Sequence, residues 1–214
     1  AHIADDAHMQ AAFSSGEDIH AVTASQVFRV PLDQVTPEMR RNAKAVNFGI
    51  VYGISAWSLS QDIGVSPDEA RAYMDAYLEN YSGVRTYMKD IVETAKTQGY
   101  VTTLYGRRRY LPELKSSNFN LRSFGERVAL NTPIQGTAAD IIKLAMIRVD
   151  QALREAGLEA KLILQVHDEL IVECPQAETQ AAAAILQREM EQVAQLKVPL
   201  VVEAKAGGSW YEAK

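Results

Sequence analysis

The sequence predicts an α+β fold, in which a helical part is followed by a smaller part with a small antiparallel sheet. Two observations carry that expectation. Between Thr36 and Gly99, apolar residues recur at steps of three and four, in runs bounded by helix start and stop residues. By contrast, Tyr100–Leu111 and Lys161–Cys174 are short β-prone runs arranged about a turn or a charged tip, the pattern of hairpins.

Composition bounds the possibilities. With 214 residues, 47% of them hydrophobic and 23% charged, the chain can bury one large core or two smaller ones. A formal net charge of −5 argues against a generally basic nucleic-acid coat but leaves room for a local cationic groove. Cys174 is the only cysteine, which excludes an intrachain disulfide and suits a reducing, cytoplasmic setting. No apolar run is long enough to cross a membrane, so no membrane partner is expected. No signal peptide opens the chain, although a start on Ala1 in mid-pattern is also what the loss of a true N-terminus would give.

Residues 1–28 read as helical segments interrupted by the polar break Ser14-Ser15-Gly16-Glu17-Asp18, and Asp18-Ile19-His20 begins the next helix. An imidazole near a helix start can donate a hydrogen bond to phosphate, although a lone histidine there is more often a surface or capping residue.

The helix at about 37–53 organises the reading. Thr36 is its N-cap and Pro37 its first residue. Met39, Ala43, Val46, Ile50 and Ile54 form the stripe that packs. Arg40, Lys44, Phe48 and Tyr52 recur every fourth residue and lie roughly 140° around the helix from that stripe. The row spans about 18 Å, enough to set charge against a triphosphate and rings against a sugar and base. The cations lie nearer the positive end of the helix dipole, which adds to their pull on an anion. Spacing alone gives equal weight to a surface helix whose cations are solvated and whose rings pack under a loop.

Further along, Ser66-Pro67-Asp68-Glu69 is a capping box, and Ala70, Tyr73, Met74, Tyr77, Leu78 and Tyr81 share one face that reads as core rather than as a stacking platform. Val84, Tyr87, Met88, Ile91, Val92 and Ala95 repeat the pattern up to Gly99. The hairpin after it carries Arg107-Arg108-Arg109 at its turn, suited to phosphate-backbone contact or simply to solvent. Lys115–Arg122 reads as a mobile loop or subdomain boundary.

Arg127, Asn131 and Gln135 are again four apart, but Pro133 predicts a break near Thr132-Pro133, with a second helix from Pro133 to Leu153. These three are capping groups or, alternatively, donors to the minor groove, whose acceptors look alike in every base pair. In the hairpin 161–174, Asp168 at the tip is placed either as a turn former or as an oxygen ligand for a hard cation. Glu169 points to the other side if the backbone stays extended. A helix at about 177–196 and a last strand, Leu200–Ala204, close the chain.

Several of these residues together resemble one family. Arg40, Lys44, Phe48, Tyr52 and Gly53 match the R-x3-K-x3-F-x3-Y-G nucleotide-binding helix of family A DNA polymerases, the bacterial DNA polymerase I type. The D-I-H at His20, the G-R-R-R stretch, the R-x3-N-x3-Q-G-T-A-A-D segment from Arg127, the V-H-D-E at His167 and the ending Gly207-Gly208-Ser209-Trp210 are similar to the same family. The resemblance implies a helical fingers subdomain over 1–125 and the C-terminal part of a palm over 126–214, with its metal-binding hairpin at 161–174. It implies nucleotide binding by His20, Arg40, Lys44, Phe48 and Tyr52. DNA binding falls to Tyr52, Arg127, Asn131, Gln135 and His167. Asp168 and Glu169 become magnesium ligands, with Lys44 beside them as catalytic residues. The implied partners are primer-template DNA, deoxynucleoside triphosphates, and the remaining palm and thumb. The family's other metal-binding aspartate, in a D-Y-S-Q-I-E type motif, is expected just upstream of Ala1, so the chain by itself is expected to be inactive. A non-catalytic nucleotide- or DNA-binding fragment, one half of a split polymerase, and more weakly a nuclease using His167, Asp168 and Glu169 are the alternatives.

Overall fold

The computed structural model describes residues 1–213. By packing, the chain divides into two compact units, Ala1–Gly136 and Thr137–Lys214. The first holds α1 (Ala7–Ser14), α2 (Ile19–Phe28), α3 (Pro37–Val51), α4 (Ala56–Ile63), α5 (Pro67–Asn80), α6 (Ser82–Gln98), the hairpin β1 (Tyr100–Thr102) and β2 (Arg108–Tyr110), and the start of α7 (Phe119–Glu155). The second holds the rest of α7, the hairpin β3 (Lys161–Val166) and β4 (Glu169–Glu173), and α8 (Thr179–Glu191). Both sheets are two-stranded and antiparallel, so the α+β expectation holds.

Apart from α6, the helices that start in the first unit begin where a side chain can satisfy free N–H groups of the first turn. Asp18 accepts from the His20 and Ala21 amides, and Thr36 from Met39. Ser66 and Glu69 complete the capping box in both directions, with Pro67 at the first position. The core then forms from the apolar faces: Val46 and Ile50 of α3, Leu59 of α4, Ala70 and Tyr77 of α5, with Tyr81 and Val84. A second cluster, Ala95, Val101, Leu111, Leu114 and Ala129, joins α6 and the first hairpin to α7. Separately, Ala145, Val149 and Leu153 of α7 pack with Leu170 of β4 and with Ala182 and Ile185 of α8 to make the core of the second unit.

Four sequence expectations need correction. The break at Thr132-Pro133 does not occur: α7 runs for 37 residues with Pro133 inside it. A proline in a helix removes one hydrogen bond and costs about 3 kcal/mol. Here the apolar side of the helix is buried before the proline, at Ala129 and Leu130. Neighbouring donors also flank the depleted turn, since the Tyr87 hydroxyl donates to the Leu130 carbonyl at 3.2 Å and Arg107 Nη2 to the Gly136 carbonyl at 3.0 Å. Secondly, Leu200–Ala204 is not a strand. A strand needs a neighbour to ladder with, and the Val202 N–H instead donates to the Glu191 carboxylate at 3.1 Å. Thirdly, the last helix is shorter than 177–196 at both ends, since residues 176–178 wind as a 3₁₀ turn and the helix stops at Glu191. Finally, Lys115–Arg122 is only partly loop, since the Asn118 side chain accepts from the amides of Asn120 and Leu121 and starts α7 at Phe119.

Candidate nucleotide face and carboxylate hairpin

The outward face of α3 follows from its inward one. Ala43, Val46 and Ile50 are buried, and the row a little over a third of a turn away, Arg40, Lys44, Phe48 and Tyr52, is exposed along the whole helix. Phe48 and Tyr52 keep 49% and 47% of their surface open, so these rings are not held under a loop. Lys44 Nζ lies 6.0 Å from the Phe48 ring centroid, and no carboxylate pairs with it among the described residues.

α2 packs beside α3 and brings His20 to this row. The His20 and Phe48 ring centroids are 5.8 Å apart, and His20 Nδ1 is 2.9 Å from Asn47 Nδ2. Asp18, one residue before α2, meets Arg40 through a single carboxylate oxygen, 2.7 Å from Nε and 2.6 Å from Nη2. Burial alone would raise the Asp18 carboxyl, but the Arg40 guanidinium and the His20 and Ala21 amides outweigh it and hold the group below the usual carboxylate value. Burial comes first in lowering His20, with Arg40 and Lys44 adding to it against the opposite pull of Asp18. Burial and the two cations thus favour the neutral imidazole, and Asp18 opposes them.

The end of α3 is built by glycine. Gly53 has φ +69° and donates to the Ile50 carbonyl, while the Ile54 N–H reaches back to the Gly49 carbonyl at 2.8 Å, a Schellman closure. A side chain at Gly53 would lie 3.1 Å from Arg127 Cγ. The chain after Tyr52 thus passes directly against the stem of Arg127 on α7. Because α7 is continuous, Arg127, Asn131 and Gln135 share one face at steps of about 6 Å. Arg127 Nη1 donates to Ser123 Oγ at 3.2 Å, Gln135 is exposed, and the buried Asn131 Oδ1 has no hydrogen-bond partner among the described residues. On the neighbouring hairpin, Arg107 is tied to α7 and the Arg108 guanidinium lies 4.8 Å from the Tyr100 ring centroid, while Arg109 faces solvent.

In the second unit, Val166 pairs with Glu169, leaving His167-Asp168 as a two-residue turn. His167 has φ +52°, a left-handed backbone that favours glycine in this kind of turn, and Gln165 Nε2 donates to its carbonyl at 2.6 Å. His167, Asp168 and Glu169 are all exposed. Two adjacent carboxylates offer the hard oxygen donors that magnesium takes. Among the described residues, no three His, Cys, Asp or Glu side chains gather into a fuller cluster.

Geometry therefore unites His20 with Arg40, Lys44 and Phe48, and places Arg127 against the residue after Tyr52. Asp18, Asn47 and Thr23 belong to this assembly, and sequence reasoning did not assign them to it. The available signal was His20 and Thr23, three residues apart and so on one side of the helix, with Asp18 just before its start.

Comparison with known proteins points one way. A family model described as DNA polymerase family A matches residues 1–212. DNA polymerase I of Bacillus caldotenax is 54% identical and that of Bacillus subtilis 56% identical, each over the whole of this chain. The chain spans 24% of the length of each of these relatives. Among solved structures, the POL domain of Pol1 from M. smegmatis, in complex with DNA primer-template and dNTP, matches with a TM-score of 0.95 and 48% identity. That match covers 100% of this chain and 38% of the other.

Proposed function

The chain belongs to DNA polymerase family A, and from that premise we propose that it supplies the nucleotide-binding fingers, 1–125, and the C-terminal part of the palm, 126–214, for DNA-templated DNA synthesis. The observation that carries the reading is the exposed row Arg40, Lys44, Phe48, Tyr52, with His20 5.8 Å from Phe48.

In the reaction, the primer 3′ hydroxyl gives up its proton to solvent water and its oxygen bonds to the α-phosphorus of a deoxynucleoside triphosphate. The bond to the β-phosphate oxygen breaks, and pyrophosphate leaves. Negative charge develops on the transferring and leaving oxygens, so fixed cations aimed there lower the barrier. Arg40 and Lys44 take that role, and Lys44 is the freer of the two, since Arg40 must leave or share Asp18. His20 adds a donor to the phosphates. Phe48 lies against the sugar and base, and Tyr52 guards the template position. Arg127, Asn131 and Gln135 donate to the minor groove of the duplex, where sequence-independent acceptors lie, and His167 contacts DNA. Asp168 and Glu169 would hold magnesium in part, and when bound it would supply charge neutralisation at the phosphates and a more acidic primer hydroxyl. Primer-template DNA and nucleotide are the partners, together with the remaining palm and a thumb.

Substitution tests the division of labour. In an assembly that polymerises, Lys44→Ala and Arg40→Ala lower nucleotide use by about 10²-fold or more while leaving duplex affinity within a few-fold. Asp168→Asn keeps binding and removes turnover, because an amide is a poor magnesium ligand. Duplex affinity falling as far as incorporation in Lys44→Ala would place the row on DNA instead of nucleotide. Metal-dependent cutting without nucleotide would mark a nuclease.

A further inference from the structure

Asn47 stands between the buried Val46 and the exposed Phe48 on α3, and both ends of its amide are engaged across the contact with α2. Its Oδ1 accepts from Thr23 Oγ1 at 3.2 Å, and its Nδ2 lies 2.9 Å from His20 Nδ1. Thr23 is fully buried, and its hydroxyl is 3.5 Å from the equally buried Tyr81 hydroxyl. A polar chain therefore runs from the core of the first unit, through Thr23 and Asn47, to the imidazole beside Phe48.

A primary amide has one donating and one accepting end. With the accepting end held by Thr23, the end that meets His20 is N–H, and the ring nitrogen facing it is a lone pair. A neutral imidazole with Nδ1 unprotonated carries its proton on Nε2. We propose that Asn47 is a positioning residue, which Thr23 holds in one orientation so that His20 is fixed as the neutral Nε2–H tautomer and offers an N–H donor to the nucleotide's phosphates. The assignment rests on the reading of α3 as the nucleotide face.

The alternative arrangement is the amide turned over. It would put a proton on Nδ1 and leave a bare lone pair on Nε2 to meet a phosphate oxygen, which repels it. Protonating both nitrogens is opposed from two sides. It removes the Asn47 hydrogen bond, and it adds a cation beside Arg40 and Lys44 on α3. Asp18, at the start of α2, is the one charge that favours it, and its carboxylate is already engaged by Arg40.

The test reads the tautomer directly in the ¹⁵N-labelled 214-residue chain, from long-range ¹H–¹⁵N imidazole spectra at neutral pH and through a pH titration. The expected wild-type signature for His20 is Nε2–H with an unprotonated Nδ1. Thr23→Val removes the hydroxyl that orients the amide and moves His20 toward a mixture of tautomers. Asn47→Asp replaces the donor with a carboxylate, places a proton on Nδ1, and raises the titration midpoint by about one pH unit or more. An Nδ1–H tautomer in the wild type overturns the proposal, and it needs no variant to fold. So does Asn47→Asp with an unchanged midpoint. Addition of dTTP separates the premise from the assignment. A wild-type Nε2–H signature that dTTP leaves unmoved, with Lys44 also unmoved, overturns the nucleotide reading rather than the tautomer.

Discussion

Phe48 carries no polar atom, yet its ring stands open to solvent with a histidine and a lysine beside it. On the proposed reading it lies beside the 3′ side of a bound nucleotide's sugar. A nucleotide without its 3′ hydroxyl loses a polar contact that Phe48 cannot replace, so the polymerising assembly should discriminate against dideoxynucleotides. Phe48→Tyr restores a hydroxyl near that position and should cut the discrimination by about 10-fold or more. Competition between the two nucleotide types measures the ratio, and an unchanged ratio would put Phe48 away from the sugar. Arg40, Lys44, Phe48 and Tyr52 were legible in the sequence because a period of four is a local property of one helix. What each of them meets was not. Asp18 reaches Arg40 across 22 residues and His20 reaches Asn47 across 27, and no local rule specifies which of many polar residues α2 will bring there.

At the scale of the element, α3 depends on how it ends. The backbone after Tyr52 must turn sharply to lay Ile54 back on the helix, and Gly49 makes room for it. A Cβ at Gly49 would lie 2.6 Å from Ile54 Cγ2, a separation that forces the Ile54 side chain or the loop carrying it to shift. Gly49→Ala should therefore destabilise the first unit by about 1–3 kcal/mol despite the better helix propensity of alanine. Thermal or denaturant unfolding checks this, and an unchanged midpoint would mean that the closure is loose. The N-terminal ends of these helices were readable from Thr36-Pro37 and Ser66-Pro67 because caps are local chemistry. Pro133 misled for the opposite reason. Its local preference is to stop a helix, but burial of Ala129 and Leu130, and donors from Tyr87 and Arg107, come from parts of the chain that local rules do not see. The same non-locality applies to Leu200–Ala204, whose β-prone residues pair with no strand among the described residues.

At the scale of the whole molecule, the two units differ in how much of their own structure protects them. α5 is capped at its start and carries the buried Ala70 and Tyr77 within a core that draws on α3, α4 and α5. The hairpin of the second unit has only two strands, and Ile163 and Leu164 on β3 are exposed. An apolar strand with one side of its ladder unpaired opens readily and invites association. Hydrogen exchange should therefore be faster over residues 162–172 than over residues 73–78 in the isolated chain, and the reverse order would refute this account of its stability. The same hairpin bears on activity. Two-metal phosphoryl transfer needs carboxylates at both of two ions about 4 Å apart, and the tip offers only Asp168 and Glu169. The expected outcome is that the purified chain does not extend a primer, and does so when mixed with a polypeptide carrying the remaining palm and thumb. Docking of that polypeptide should also slow exchange at residues 162–172. Robust magnesium-dependent extension by the 214-residue chain alone would mean that other carboxylates complete the site, and Asp140 and Glu203 are the ones to substitute first.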